Sequence, residues 1–304
     1  MEKRMNRIGI LTSGGDAPGM NAAIRAAVFA ANARGIESIG IRRGYNGLIV
    51  NDMIPLTPTD VADISRLGGT MLYTARSQEF MLKKGQKRAA DTCRFLGLDG
   101  LVIIGGDGSF QGALKLHELG VPVACIPGTI DNDIGCTSYT IGFDTACNTA
   151  IEAVDKLNDT MQSHERCSVV EVMGHKTGYI ALNVGIATGA TVTLIPEVKA
   201  DFERDVVGKI REARLHGRTH FTVIVAEGAC SASETAGKIE TATGIETRVT
   251  SLGHIQRGGS PLVRDRVAAA RMGCRAVQTL AGGEVGRVIV MACETCEAIE
   301  ITAA

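Results

Sequence analysis

Short stretches that are apolar at nearly every position constrain this chain most. RIGILT (7–12), GLVIIGG (100–106), VPVACIP (121–127) and FTVIVAEG (221–228) show no strict alternation of apolar and polar side chains. A strand with one wet face alternates. A strand apolar on both faces is covered on both, as in a parallel sheet between layers of helix. GIESIGIRR (35–43), SVVEVMG (168–174), VTLIPE (192–197), TRVTSLG (247–253) and VIVMA (288–292) read as further strands. Helical periodicity fills the gaps at 21–33, 83–96, 110–119, 144–162, 177–187, 203–215 and 263–281. This β-α-β order predicts an α/β fold with mainly parallel sheets, in two lobes divided near residue 143. The 304 residues, 45% of them hydrophobic, are enough for more than one core.

The charges nearly cancel, with 32 Lys and Arg against 33 Asp and Glu, so no basic footprint points to nucleic acid or a membrane surface. No apolar run approaches the roughly 18 residues that would cross a bilayer. The charged stretch from Met1 to Arg7 is followed by a run only a strand long, so no signal peptide is expected and the cytoplasm is the expected location. Nine cysteines show no metal-site spacing; Cys293 and Cys296 form a lone C-x-x-C that reads as a strand edge in a reducing compartment.

Three strand ends carry unusual turns. ILTSGGDAPGMNAAIR (10–25) runs from a strand through Gly14, Gly15 and Asp16 to a helix start after Pro18. Glycines admit a ligand to the backbone and a helix N-terminus favours an anion, but no P-loop lysine follows. A plain βα turn with Asp16 near the cap accounts for this stretch equally well. VIIGGDGSFQG (102–112) sets Asp107 among Gly105, Gly106 and Gly108, where it can reach a metal, a ribose or merely the cap of the next helix. PGTIDND (127–133) places Thr129, Asp131 and Asp133 after a buried strand with no basic residue to balance the acids. In extended geometry residues two apart share a face, so the two carboxylates are expected in one crevice, each raising the other's pKa unless a cation such as Mg²⁺ intervenes.

Cations to hold phosphates are offered by Arg76 in LYTARSQEF and by His254 and Arg257 in SLGHIQRGGSP (251–261). Taken singly, an arginine is usually a solvated side chain and a histidine a bonded core residue; the adjoining Gly258 and Gly259 favour the binding reading. Glu227 ends FTVIVAEG, where it can accept sugar hydroxyls or cap the next segment.

TSGGDAPGMNAAIR, IGGDGS, PGTIDND, VEVMG, ETR and LGHIQRGGSP occur in that order across nearly the whole chain. Together they resemble the bacterial ATP-dependent 6-phosphofructokinases. The resemblance implies transfer of the ATP γ-phosphoryl group to the 1-hydroxyl of fructose 6-phosphate, with Mg²⁺. It implies two doubly wound lobes with the active site in the cleft between them: residues 1–142 plus 256–304 as a larger ATP-binding lobe, and 143–255 as a smaller fructose 6-phosphate lobe. Asp131 matches the general base. Thr129 and Asp133 match residues holding the sugar and the transferring group, and Gly15 and Arg76 match contacts to that group. Asp107 matches the Mg²⁺ carboxylate. Tyr45, Gly106, Gly108, Ser109 and Gly112 match the ATP side. Met173, Gly174, Glu227, His254 and Arg257 match the sugar-phosphate pocket. Arg166 and Arg248 match arginines supplied across a subunit interface, which implies a homotetramer with shared sites.

Pyrophosphate-dependent relatives resemble GGDD and PKTIDND; here Gly108 and Gly128 stand at those two positions and favour ATP. Other departures are His175-Lys176 where the family has Arg, and Gln78 and Met81 where it has Pro and a basic residue. Arg25 is kept from the bacterial effector site, but Phe29, Pro58, Asn158 and Thr191 replace its other charged groups, so little control by ADP or phosphoenolpyruvate is expected. The alternatives are a pyrophosphate-dependent enzyme, another kinase built on the GGDG turn, and a catalytically weakened sugar-phosphate or nucleotide sensor.

Overall fold

The structure, a computed structural model, describes residues 5–292 and 295–303. In chain order its elements are β1 (Arg7–Ser13), α1 (Met20–Asn32), β2 (Glu37–Ile41), α2 (Gly44–Val50), β3 (Met53–Leu56), α3 (Lys83–Phe95), β4 (Gly100–Gly105), α4 (Asp107–Glu118), β5 (Val123–Pro127) and α5 (Phe143–His164). They continue as β6 (Cys167–Val172), α6 (Tyr179–Ala187), β7 (Val192–Leu194), α7 (Lys209–Leu215), β8 (Phe221–Ala226), α8 (Ala232–Thr243), β9 (Thr247–Ser251), α9 (Val263–Ala281), β10 (Arg287–Ala292) and β11 (Thr295–Glu300). The described residues form two compact units, one of residues up to Ile130 with Ile134–Asp144 and Arg257 onward, the other of Asp131–Asp133 and Thr145–Gln256.

The first unit holds a seven-stranded sheet in the order β11-β10-β5-β4-β1-β2-β3. Its five inner strands are parallel and only the edges, β3 on β2 and β11 on β10, are antiparallel. Every residue of β4 and β5 is buried, as their unbroken apolar runs require. The period of two divides them: Leu101 and Ile103 of β4 pack with Ala89 and Cys93 of α3 and with Phe110 and Ala113 of α4. Val102 and Ile104, equally buried, face the other way. α1 and α9 approach closely because Gly273 has no side chain; a Cβ there would lie 2.7 Å from the Ala23 carbonyl oxygen.

The second unit holds a fully parallel four-stranded sheet, β7-β8-β6-β9. Its core gathers Val169, Val192, Phe221, Val223 and Val225 under Ile210 of α7 and Ile239 of α8.

Several boundaries differ from the sequence reading. The strand expected over 168–174 ends at Val172, because the Glu227 carboxylate captures the backbone N–H groups of Gly174 and His175. VTLIPE is a strand only to Leu194; Pro196 has no N–H for a ladder. The helix expected from 203 begins as a π-helical stretch, Phe202–Gly208, capped by the Asp201 side chain. α2, β3, α8 and β11 were not foreseen. Of the C-x-x-C pair, Cys296 lies on β11 with Sγ 3.1 Å from Met291 Sδ, and Cys293 lies outside the described residues. Among the described residues every cysteine is a free thiol, and no helix is long and apolar enough to cross a membrane.

Candidate active site

Strand register alone brings the three glycine-rich turns together. β1, β4 and β5 are neighbours, with Ser13 opposite Gly105 and Gly105 opposite Pro127. All three chains therefore leave the sheet side by side at its C-terminal edge, where open α/β sheets bind ligands. Missing side chains let them close up. A Cβ on Gly105 would fall 2.4 Å from the Ser13 carbonyl oxygen and 2.5 Å from Ser109 Oγ. Gly106 adjoins Thr129, with 3.7 Å from its Cβ position to Thr129 Cβ. The Thr140 hydroxyl fixes the third turn by donating to the Thr129 carbonyl at 2.7 Å.

The helix end that can receive an anion is that of α4. Its N-cap is Gly106, no side chain caps it, and Asp107 and Gly108 in its first turn are exposed. α1, expected in that role, is closed: Pro18, Gly19, Met20 and Asn21 are buried. The buried Asp265 of α9 stands beside its start, its Cβ 3.5 Å from the Cβ position of Gly19. Asp16 does not cap α1; the cap is Gly19, in a left-handed conformation at φ 106°. What β1 exposes is backbone, at Gly14 and Gly15. The Arg257 guanidinium lies over it, with Nη1 2.7 Å from the Cβ position of Gly15 and its own Nε buried without an acceptor. Thr74 Oγ1 donates to the Gly14 carbonyl at 2.6 Å, tying the segment that carries the exposed Arg76 to the same turn.

Tyr45 and Gly112 form a packed contact. The Tyr45 ring stacks on Phe80 at 4.1 Å between centroids, its hydroxyl donates to the Ser109 carbonyl, and burial pushes its pKa well up. A Cβ on Gly112 would meet that ring at 2.7 Å. Gly112→Ala is therefore expected to destabilise the protein by about 1 kcal/mol, overpacking of about 1–3 kcal/mol offset by about 1 kcal/mol of helix propensity, measured as a lower thermal midpoint.

PGTIDND does not run extended as expected. β5 ends at Pro127, and Asn132 adopts φ 51°, so the period-two argument for Asp131 and Asp133 fails across a left-handed residue. No group of three or more metal-type ligands gathers there or elsewhere among the described residues. Asp133 instead faces His175, with Oδ2 3.7 Å from Nδ1. The Asp131 carbonyl lies 3.1 Å from the Thr177 hydroxyl that can donate to it. Glu227 Oε1 accepts from the backbone N–H of Gly174 at 3.2 Å and of His175 at 2.8 Å. Met173 N–H points to Oε1 of the buried Gln256 at 3.4 Å. His254 is exposed on the 3₁₀ turn Gly253–Arg257.

Arg166 and Arg248 lie elsewhere. Arg166 precedes β6 and Arg248 is second in β9, whereas Gly174 and Glu227 follow the other ends of β6 and β8. Parallel strands of this length separate the two groups by roughly 16 Å. Both arginines grip Glu246, Arg166 Nε at 2.7 Å on Oε2 and Arg248 on Oε1. These bonds, that of Arg166 foremost, hold the Glu246 carboxyl below the usual range. Glu246, Gln256 and Thr177 escaped the sequence reading because their contacts are long-range; only the ETR triplet hinted at the first.

The match to the family profile described as Phosphofructokinase covers residues 7–280. The chain belongs to the phosphofructokinase family. An ATP-dependent 6-phosphofructokinase of Clostridium tetani is 54% identical over 285 residues, which are 94% of this chain and 89% of that protein. Among solved structures, phosphofructokinase from Saccharomyces cerevisiae superposes with a TM-score of 0.94 at 34% identity over 98% of this chain, which spans 45% of the yeast chain. A pyrophosphate-dependent phosphofructokinase from Marinobacter aquaeolei superposes with a TM-score of 0.88 over 98% of this chain and 83% of its own, but at 19% identity it shares the fold alone.

Proposed function

We infer that this phosphofructokinase is an ATP-dependent enzyme of glycolysis. It moves the γ-phosphoryl group of ATP to the 1-hydroxyl of fructose 6-phosphate, giving fructose 1,6-bisphosphate and ADP. The observation that carries the choice of donor is the open end of α4: a Cβ on Gly108 would meet nothing within 4 Å. That empty volume, beside unpaired helix N–H groups, suits a nucleotide polyphosphate. Its 54% identity to an enzyme named for ATP supports the same reading over the pyrophosphate alternative.

In this reading Asp131 takes the proton from the attacking hydroxyl, and Thr129 and Asp133 orient the sugar. Gly15 and Arg76 receive the transferring group, with phosphoryl transfer depending mainly on position and charge neutralisation. Gly106, Gly108 and Ser109 present backbone to the phosphates. Tyr45, buried under Phe80, acts on the nucleotide side through the contact with Gly112 rather than by an open ring face. Met173, Gly174, Glu227, His254 and Arg257 hold the sugar phosphate, with Glu227 also fixing the turn at 174–175. The family's chemistry calls for a divalent cation. An exposed single carboxylate among glycines, Asp107, fits Mg²⁺, which keeps waters and binds through one or two carboxylates plus substrate phosphates. The ion would neutralise charge on those phosphates. Gln111 Nε2, donating at 2.9 Å, steadies Asp107.

The placement of Arg166 and Arg248 at the far edge of their sheet supports a homotetramer in which each reaches the sugar phosphate of a neighbouring copy. The first unit acts as the ATP-binding lobe, the second as the fructose 6-phosphate lobe, and the enzyme works in the cytoplasm. Incubation with ATP, Mg²⁺ and fructose 6-phosphate is expected to yield ADP and fructose 1,6-bisphosphate in equal amounts by phosphorus NMR. Hydrolysis of ATP without a bisphosphate product would contradict it.

The residues at the positions that resemble the bacterial effector site are engaged in contacts within their own units. The Arg25 guanidinium lies 4.4 Å from the Phe29 ring centroid and donates to the Ala62 carbonyl, and Asn158 and Thr191 bond to Thr222. Added ADP is expected to shift the fructose 6-phosphate saturation curve less than twofold; a large shift would refute this.

A further inference from the structure

The closed start of α1 leaves the second half of ILTSGGDAPGMNAAIR without a part in anion binding. Asn21, in the first turn of α1 and only 2% exposed, shows what that half does. Its carboxamide is spent on the backbone of another segment. Nδ2 donates to the Leu67 and Gly68 carbonyls, each at 3.1 Å, and Oδ1 accepts from the Met71 N–H at 2.8 Å. Residues 67–78 form no helix or strand, so side chains stand in for ladder partners there. Thr12, buried in β1, takes the next groups. The Leu72 N–H points to Thr70 Oγ1 at 3.3 Å, Thr70 Oγ1 lies 2.9 Å from Thr12 Oγ1, and Thr12 Oγ1 donates to the Tyr73 carbonyl at 2.9 Å. Thr12 has a single hydroxyl proton and gives it to Tyr73, so Thr70 is the donor between the two hydroxyls. Tyr73 is held at φ 55°, a left-handed conformation that persists in a tyrosine only where its surroundings fix it. Thr74 completes the series with its bond to the Gly14 carbonyl. Arg76 follows two residues later, and beyond it the Phe80 N–H donates to Ser77 Oγ at 3.2 Å.

We propose that Asn21 and Thr12 are positioning residues for Arg76: together they fix the irregular segment whose end presents that guanidinium to the transferring phosphoryl group. This inference rests on the role given to Arg76 above. Arg76 is exposed, so the place of its Cα is set by the chain on either side and not by burial of its own side chain. A carboxamide is the group that position 21 requires. It carries two N–H donors and an acceptor, whereas a carboxylate of the same shape has acceptors alone and would set an oxygen against two carbonyls. At position 12 valine would keep the shape and lose the hydroxyl that Thr70 and Tyr73 both use. The segment cannot settle closer on its other face, where a Cβ on Gly68 would lie 2.4 Å from the Gly259 carbonyl oxygen. Phosphoryl transfer depends on position and charge neutralisation, and a misplacement of about 1 Å costs about 10²-fold in rate.

The test is a pair of double-mutant cycles on the full chain, read as kcat and KM with ATP, Mg²⁺ and fructose 6-phosphate. The single variants are Asn21→Asp, Thr12→Val, Thr12→Ser and Arg76→Ala; the doubles join Asn21→Asp or Thr12→Val to Arg76→Ala. Circular dichroism confirms that each variant is folded, and Thr12→Val carries the test alone if Asn21→Asp does not fold. Asn21→Asp and Thr12→Val are each expected to lower kcat by about 10- to 100-fold with KM for fructose 6-phosphate changed by less than about twofold, as for an interaction made in the transition state. Thr12→Ser keeps the hydroxyl and should stay within about threefold of the parent. In the Arg76→Ala background, adding either substitution should change kcat by less than about twofold, because residues that act through one group are not additive. Losses that multiply in the double variants overturn the proposal, since a merely structural role would lower the rate whether or not Arg76 is present. Parental kcat in Asn21→Asp or Thr12→Val overturns it as well. Parental kcat in Arg76→Ala overturns the role given to Arg76 itself, which separates the two failures.

Discussion

Asp131→Ser is expected to lower kcat for fructose 6-phosphate by about 10³-fold, within the 10²–10⁴-fold typical of a positioned general base. The main-chain carbonyl through which Asp131 accepts from the Thr177 hydroxyl is retained by serine. KM for both substrates should change little, since the lost group acts on a proton and not on the phosphates. A variant turning over within a few-fold of the parent, with an unchanged thermal midpoint, would remove Asp131 from the mechanism and leave Asp133 as the candidate.

Gly108→Asp should separate activity from stability by moving them in opposite directions. Gly108 is the second residue of α4, is exposed, and has open space around its Cβ position. An aspartate there replaces a flexible helical glycine and meets the positive end of the helix dipole, a gain of about 0.5–1 kcal/mol. It also fills the volume assigned to the nucleotide phosphates with a negative charge. A loss of about 100-fold in kcat/KM for ATP, equivalent to about 2.7 kcal/mol, is expected together with a slightly raised thermal midpoint. Gly128→Lys behaves differently. Gly128 is buried, and its Cβ position is 3.1 Å from Ile104 Cγ2 and 3.3 Å from Met20 Cε. That substitution should cost about 1–3 kcal/mol of stability before any effect on donor choice. Loss of ATP use in Gly108→Asp with a lowered midpoint would point to misfolding rather than to a filled donor site.

What could be read from the sequence followed from local chemistry. The strands β1, β4, β5 and β8 were legible because burial on both faces demands unbroken apolar runs, and the three turns after β1, β4 and β5 because few other roles need so many glycines. α8 went unseen since its Ala- and Thr-rich sequence has little apolar period, although Ser231 capping the Glu234 N–H and Gly244 at a left-handed C-cap mark both its ends. α2 and β3 were hidden by Gly44, Gly47 and Pro55, residues that ordinarily break such elements. Within the site, the misreadings arose where a distant residue decides the geometry. Ile141 and Asp265 stand against the start of α1, Glu227 sets the early end of β6, and His175 faces Asp133. None of those pairings has a spacing that a linear pattern could reveal.

A donor comparison on one preparation tests whether a nucleotide is the donor used at the open end of α4. With Mg²⁺ and saturating fructose 6-phosphate, kcat/KM for ATP is predicted to exceed that for pyrophosphate by at least about 100-fold, a difference of about 2.7 kcal/mol. Equal use of the two donors, or a preference for pyrophosphate, would contradict it.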